Sequence, residues 1–422
     1  MRQATEVRGW CPGALRPMAS GDGLIVRARP RVGAYPVAAL AKLADAARRC
    51  GNGVLDLTRR GNLQIRGVSA KTLDGITATL ADGGLLDATA EAEAVRNVLV
   101  NPLAGIDPAE ALDLRPVARA LEAALVADPM LQALPGKFGF LVDGGGLLSL
   151  AGEQADIRLA AAAGDAVEIG VERPGGYVVV AREPADRAAA AAAAIARALV
   201  PALHGNHRRA RLLSDAEISR LTGVAREAVH VPVSGRPGPL PLGPLQCQGA
   251  TFAVGLAAAF GRTDACALAA LCDLLAAAGV GEVRVSPWRA IYAPIRDADA
   301  AERLVSVACA AGFVTDAGDP LLAVDACPGA PACTSSSVDT RAVARALAPQ
   351  LAALGLGSLH VSGCAKGCAR SAPADLVLVG EDGRFGVVRQ GTAATPPAGV
   401  VAARDVTRDL AGVLARGAAA HA

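Results

Sequence analysis

With 422 residues the chain exceeds one small core, and its length alone points to roughly two to four domains. Hydrophobic residues make up 52% but aromatics only 3%, so the interior must be aliphatic, and a disordered chain is excluded. Lys plus Arg (42) nearly cancels Asp plus Glu (40), which argues against nucleic-acid or membrane partners and leaves any anionic ligand to a local cluster. No stretch reads as a membrane span: the alanines from Ala188 to Ala194 are too few and lie between Arg187 and Arg197. The N-terminus shows no basic-then-apolar leader, and ten cysteines then imply reduced thiols or metal ligands rather than disulfides. The expected compartment is the cytoplasm.

In chain order, alternation predicts a strand over Gly23 to Arg29, followed by a helix-periodic run rich in Ala and Leu. Gly51 stands where a helix stop belongs, and a second strand follows over Val54 to Thr58. A mixed region from about Glu91 to Glu227 has strands near Phe138 to Val142 and Gly176 to Ala181. Val231 to Gly243, rich in Pro and Gly, reads as a linker. The first pattern then returns: a strand over Thr251 to Leu256, a helix, a stop at Gly279 and a strand over Val283 to Ser286.

The return is an internal repeat. A shift of 228 residues aligns Ala39 to Gly67 with Ala267 to Ile295 without a gap. Leu40, Leu43, Asp45, Gly51 and Gly53 then meet Leu268, Leu271, Asp273, Gly279 and Gly281. The expected fold is α+β, in two pseudo-symmetric halves that each hold a small module and a larger one.

The last region carries the chemistry. Cys327 and Cys333 enclose five residues rich in Pro and Gly; Cys364 and Cys368 enclose Ala-Lys-Gly. Four thiolates on two short loops can close around a four-iron four-sulfur cluster, with backbone bent tightly enough to aim amides at sulfur. Zinc is the competing occupant, but its structural sites favour pairs two to four residues apart. Cys364 and Cys368, four apart, would share a face of one helical turn. The remaining six cysteines are expected to be buried thiols.

These cysteine pairs resemble those of the sirohaem-type sulfite and nitrite reductases. Three further segments agree: Leu57 to Gly67, Arg96-Asn97-Val98, and Leu134-Pro135-Gly136-Lys137-Phe138. The resemblance implies a ferredoxin-like half-domain with an N-terminal motif over 1–90 and a reductase-type domain over 91–230. It implies a linker and second ferredoxin-like half-domain over 231–310, and a cluster-binding domain over 311–422. It also implies that Arg27, Arg60, Gln64, Arg66, Arg96 and Lys137 contact substrate. Gly139 departs from the pattern, because a second lysine usually stands there to grip a small oxyanion. Its loss opens space and removes a charge-assisted bond, which favours a larger substrate over sulfite or nitrite.

A narrower branch of that family, the precorrin-3B synthases, is resembled in Gly9 to Met18 and in Asn101-Pro102-Leu103-Ala104-Gly105. That branch implies an oxygen-dependent monooxygenase of aerobic cobalamin biosynthesis. Precorrin-3A and dioxygen would be its substrates, NADH or a reductase its electron donor, and non-haem iron an associated cofactor, with no sirohaem expected. A sirohaem-dependent sulfite or nitrite reductase and a non-catalytic iron–sulfur electron carrier remain the alternatives. His204 and His207 are the one close histidine pair and read as surface residues.

Overall fold

In the computed structural model, residues 11–205, 208–223, 230–232, 239–412 and 414 are described. The first helix-periodic run forms Val37–Cys50, with Leu40, Leu43, Ala44 and Ala47 on its buried face. Its repeat partner is Ala265–Ala277, burying Leu268, Leu271 and Leu275. The two helices pack against each other, and one apolar core joins both halves there.

Each helix covers an antiparallel sheet, of five strands in the first half and six in the second, where Phe313–Val314 also pairs with Ala250–Ala258. The first sheet runs Met18–Ser20, Gly23–Ala28, Leu63–Val68, Val54–Leu57, and then Arg262–Asp264 from the other half. The second runs Gly243–Cys247, Ala250–Ala258, Ala290–Ala293, Glu282–Val285, and then Ala34–Pro36 from the first half. Ala34–Pro36 and Arg262–Asp264 lie 228 positions apart, as do Val54–Leu57 and Glu282–Val285. The repeat seen in sequence is therefore a structural one. It includes a reciprocal exchange of edge strands, which leaves neither half a complete sheet of its own.

The larger modules also match. One sheet has Val98–Val100, Phe140–Asp143 and Ile157–Ala162 in parallel, then Ala166–Arg173, Gly176–Pro184 and His230–Pro232 antiparallel. The other has Val324–Ala326, Leu359–Ser362 and Ala374–Glu381 in parallel, then Arg384–Gly391 and Gly399–Ala402 antiparallel. In each, the ends of the first two parallel strands release loops on one side of the sheet. No helix among the described residues is long and apolar enough to cross a membrane.

Three expectations need correction. The segment read as a linker is partly sheet: Val231 and Pro232 pair with Tyr177 and Gly176, and Gly243 opens a strand, while 233–238 lie outside the described residues. Gly279 ends its helix at φ +71 as a left-handed stop should, but Gly51 has φ −123. Gly51 is required by proximity instead, since a Cβ there would sit 2.4 Å from the Arg66 carbonyl oxygen. Of the six cysteines expected to be buried, only Cys272 is; Cys266 and Cys309 are exposed on helix surfaces, and Cys11, Cys50 and Cys247 are half-buried.

The modules are tied by a buried charge cluster. Asp56, 6% exposed, accepts from Arg262 Nε at 2.9 Å, lies 3.3 Å from Arg66 Nη1 and meets Arg341 at 3.4 Å. Those arginines come from the second half-module, its own sheet and the helix Thr340–Leu347. Burial alone would raise the Asp56 carboxyl, but Arg341, Arg262 and Arg66 outweigh it and hold it below the ordinary carboxylate range. Asp56→Ala strands the guanidiniums of Arg262 and Arg341, Arg66 keeping Asp22, and is expected to lower stability by about 3–5 kcal/mol. Because the folded carboxyl is depressed, Asp56 stabilises the fold above the unfolded carboxylate pKa, and that contribution fades as pH falls through the folded value. Urea unfolding of wild type and Asp56→Ala at neutral and acid pH checks both statements: the difference should shrink on acidification.

Candidate active site

The four cysteines lie where the parallel strands of the last sheet end. Cys327 follows Val324–Ala326 directly, and Gly363 and Cys364 follow Leu359–Ser362. The Gly363 N–H donates to Cys327 Sγ at 3.1 Å, and the Thr340 hydroxyl holds the Cys327 carbonyl at 2.6 Å. Gly329 turns the first loop at φ +67, and Cys333 N–H closes it onto the Gly329 carbonyl at 2.8 Å. Partial desolvation and the nearby Cys364, Cys327 and Cys333 push the Cys368 thiol up, with Lys366 opposing them. The two loops thus converge. Cys364 and Cys368 sit in consecutive turns rather than on one helical turn, because Gly367 takes φ +61 between them. Among the described residues no group of three or more His, Cys, Asp or Glu is gathered closely enough for a single metal ion. A four-iron cluster spreads its thiolates wider than one zinc ion does. The donor set, the tight turns and the amide aimed at sulfur fit such a cluster.

The first half-module presents a polar face. Alternation on Gly23–Ala28 sends Val26 and Ala28 into the core and leaves Arg27 on the opposite side, directly across from Gln64. Arg27 Nη2 donates to Gln64 Oε1 at 2.9 Å; among the described residues its buried Nε and Nη1 lie within hydrogen-bond distance of no acceptor, and the nearby Cys11 thiol opposes the lowering of its pKa by burial. Arg29, beside it, donates to Asn97 Oδ1 and leaves its own Nε without a partner among the described residues. Burial and the neighbouring Arg27 lower Arg29 to about 10. Arg60, on the loop after Val54–Leu57, donates to the Lys137 carbonyl at 3.0 Å. Burial lowers its pKa too; nearby Cys11 raises it, and Arg209 and Arg27 add to the lowering. A Cβ on Gly139 would meet only Asn97 O at 3.7 Å and Arg60 Nη1 at 3.9 Å, so the glycine leaves room beside Arg60. Lys137 is exposed at the rim.

Cys11 reaches this face through a clasp that sequence reasoning did not find. The buried Glu93 carboxylate accepts from Ala14 N–H and from Leu15 N–H, at 2.6 and 3.1 Å. Gly13 is required because a Cβ there would lie 2.5 Å from Glu93 Oε2. The motif so pinned sets Cys11 where it contributes to the fields of both Arg27 and Arg60. Gly9 and Trp10, the start of that motif, lie outside the described residues.

Two arginines expected at the substrate are placed elsewhere. Arg66, 2% exposed, spends its guanidinium on Asp22, Asp56, Ser20 and the Ala332 carbonyl. Arg96, 3% exposed, is bound to Asp87 and the Pro30 carbonyl, with Glu122 nearby. Both are neutralised inside the protein and hold the scaffold. His204 is exposed with its Nδ1 near the Pro201 carbonyl, and His207 lies outside the described residues.

A second aspartate cluster, also missed, joins the polar face to the cysteine loops. Asp325, two residues before Cys327, meets Arg59 at 2.8 Å, Arg289 at 3.0 Å and Arg370 at 3.2 Å. His360, paired with Asp325 on the neighbouring strand, is fully buried with neither ring nitrogen bonded among the described residues, and burial lowers it to about 4. It is therefore neutral near pH 7. An isolated Asp or His carries no spacing signal, which is why none of these stood out.

Known proteins match this arrangement. Residues 16–83 match the nitrite/sulfite reductase ferredoxin-like half domain, and residues 91–272 match the nitrite and sulphite reductase 4Fe-4S domain. The second match ends before Cys327, so the four cysteines sit in the second copy of that architecture. The chain belongs to the nitrite and sulphite reductase family. Within it, the chain is 35% identical over 401 residues to a precorrin-3B synthase of Sinorhizobium sp., covering 92% of this chain and 84% of that protein. It is 27% identical to a ferredoxin–nitrite reductase of Synechococcus elongatus, covering 86% of this chain and 77% of the other. The NirA protein of Mycobacterium tuberculosis shares the fold, with TM-score 0.67 at 21% identity over 93% of this chain and 80% of that one.

The clasp makes a prediction. Glu93→Ala leaves two backbone N–H groups without their acceptor and is expected to cost about 1–3 kcal/mol. Iodoacetamide should alkylate Cys11 faster in the variant than in wild type, as read by peptide mass spectrometry; an unchanged rate would mean that Glu93 does not hold the motif.

Proposed function

We propose that this chain is an iron–sulfur monooxygenase of aerobic cobalamin biosynthesis that converts precorrin-3A to precorrin-3B in the cytoplasm. The reaction would hydroxylate C20 and close a lactone from the ring A acetate, using dioxygen and electrons from NADH or a reductase. The observation that carries this reading is the Arg27 guanidinium, buried with Nε and Nη1 unbonded among the described residues, next to Arg60 and the opening at Gly139. A buried cation with free donors calls for a carboxylate, and precorrin-3A is a macrocycle fringed with them. Gly139 supplies the width that a macrocycle needs and a sulfite ion does not. Support also comes from the precorrin-3B synthase relative, 35% identical over most of both chains.

In this reading Arg27 and Arg60 bind substrate carboxylates and Gln64 fixes the orientation of Arg27. Lys137 meets a peripheral carboxylate at the rim, while Arg66 and Arg96 hold the strands that present the others. Cys327, Cys333, Cys364 and Cys368 would hold the cluster, which supplies electrons one at a time. The carbonyl contact from Lys137 to Arg60 keeps the guanidinium from swinging into solvent.

Two measurements test the proposal. Anaerobically purified protein should show broad iron–sulfur absorption with stoichiometric sulfide and no sharp haem bands, and Cys364→Ser should abolish the absorption. Narrow sirohaem bands would instead favour a sulfite or nitrite reductase. Arg27→Gln removes a charge-assisted bond and is expected to lower kcat/KM for precorrin-3A by about tenfold to a hundredfold. Gly139→Lys should lower it as well, by filling the opening.

A further inference from the structure

The loop between Cys327 and Cys333 is held from outside its own module. The hairpin of Met18–Ser20 and Gly23–Ala28 turns at Gly21 and Asp22, since Ser20 pairs with Gly23. Its tip lies against that loop. A Cβ on Gly21 would stand 2.9 Å from the Pro331 carbonyl oxygen, 3.1 Å from the Ala332 carbonyl carbon and 3.1 Å from the Thr334 amide nitrogen. All three are backbone atoms, which cannot swing aside as a side chain would, so glycine is what lets the tip sit this close. The hairpin at the corresponding place in the second half joins Gly243–Cys247 to Ala250–Ala258. A Cβ on its tip residue Gly249 would meet nothing within 4 Å beyond its chain neighbours among the described residues. Of the two hairpins, only the one beside the cysteines is seated.

The contact is polar as well as steric. The Ala332 carbonyl accepts from Ser20 Oγ at 3.0 Å and from Arg66 Nη2 at 3.1 Å. Arg66 donates in turn to both oxygens of Asp22, each at 2.8 Å, and Asn52 Nδ2 steadies Asp22 at 3.2 Å. The amide on the other side of the Ala332 carbonyl belongs to Cys333, and it donates to the Gly329 carbonyl. Bonds accepted at one end of a peptide unit polarise the N–H at the other, so the hairpin strengthens the bond that closes the cysteine loop. The far end of the loop answers to the same half-module. Thr340 holds the Cys327 carbonyl, and the adjoining Arg341 pairs with Asp56.

We infer that this hairpin is a positioning device for the cluster: Gly21 and Ser20 set the place of Cys333 and close that side of the loop against water. The inference rests on the cluster proposed above. Contacts behind a metal ligand orient it, and shielding sets solvent access and with it the potential. Gly21→Val, at an exposed tip, pries the hairpin from the loop. In the anaerobically purified full chain it is expected to speed iron release to a chelator by about tenfold. It should also raise the midpoint potential, because reduction adds negative charge that admitted water stabilises. Ser20→Ala should show the same changes in smaller measure, and Ser20→Thr, which keeps the hydroxyl, should restore wild-type values. Circular dichroism confirms folding, and Ser20→Ala carries the test if Gly21→Val fails to fold. Unchanged iron release and potential in the folded variant overturn the inference, as does a lowered melting temperature alone, which marks a merely structural seam. Wild-type protein without iron and sulfide would instead sink the cluster. The contact is then read from iodoacetamide alkylation of Cys333 in the full chain, expected to be faster in Gly21→Val; equal rates overturn the contact itself.

Discussion

Two buried aspartates, each surrounded by three arginines, set how the modules of this protein meet. Asp56 gathers Arg66, Arg262 and Arg341, and Asp325 gathers Arg59, Arg289 and Arg370. A carboxylate taken out of water is costly unless it is well paired, and the pairing groups here come from different modules, so the charge is satisfied only when those modules are docked. The result is orientation as much as stability. Arg66 also holds the Ala332 carbonyl, next to Cys333, and Asp325 lies two residues before Cys327, so both clusters grip the loop that presents the first cysteine pair. Each aspartate neutralises one of its three arginines, and Asp22 also pairs with Arg66. The surplus positive charge lies beside a set of thiols and an arginine face, both of which suit anionic occupants.

The repeat, the paired helices and most strands were readable because they depend on periodicity and on glycines at fixed offsets. The edge-strand exchange was not. Ala34–Pro36 and Arg262–Asp264 are three residues each, too short for alternation to show, and their partners lie more than 200 residues away. Among the candidate site residues, Arg27, Arg60 and Gln64 meet on one face. Arg66 and Arg96 share their strand and loop neighbourhoods but turn into the protein, because Asp22, Asp56 and Asp87 wait for them there. Residue type and position along a strand indicate a face; they do not indicate whether a carboxylate from a distant segment will claim the charge. The Glu93 clasp was hidden for the same reason, its acceptor being 79 residues from the first amide it binds.

The two larger modules share a strand order, yet they close their loops with different chemistry. Asn101 follows the first parallel strand of one module as Cys327 follows that of the other, and Asp107 stands six residues on, as Cys333 does. In the first module Asn101 donates to Asp143 Oδ1 at 3.2 Å and to the Gly145 carbonyl at 2.6 Å. The Ser149 hydroxyl binds Asp143 at 2.8 Å, and Leu147 N–H binds Asp107 at 2.6 Å. Oxygen and nitrogen atoms thus knit these loops shut without any other group. In the second module the corresponding places carry thiols, weak partners for one another, which leaves their coordinating capacity for a soft metal centre.

This contrast follows from the duplication. Duplication supplies two equal frames, and packing keeps most core positions apolar in both copies, as Leu40 and Leu268, Leu57 and Val285, and Leu63 and Ile291 are. Where the copies diverge, one side is completed by its own side chains and the other is left incomplete: Asn101 and Asp107 against Cys327 and Cys333. An incomplete position can take a ligand at no cost to the frame, since its satisfied twin carries the structural work. In a duplicated fold, the differences between symmetry-related residues therefore mark where binding chemistry can be accommodated more directly than the burial of any single residue does.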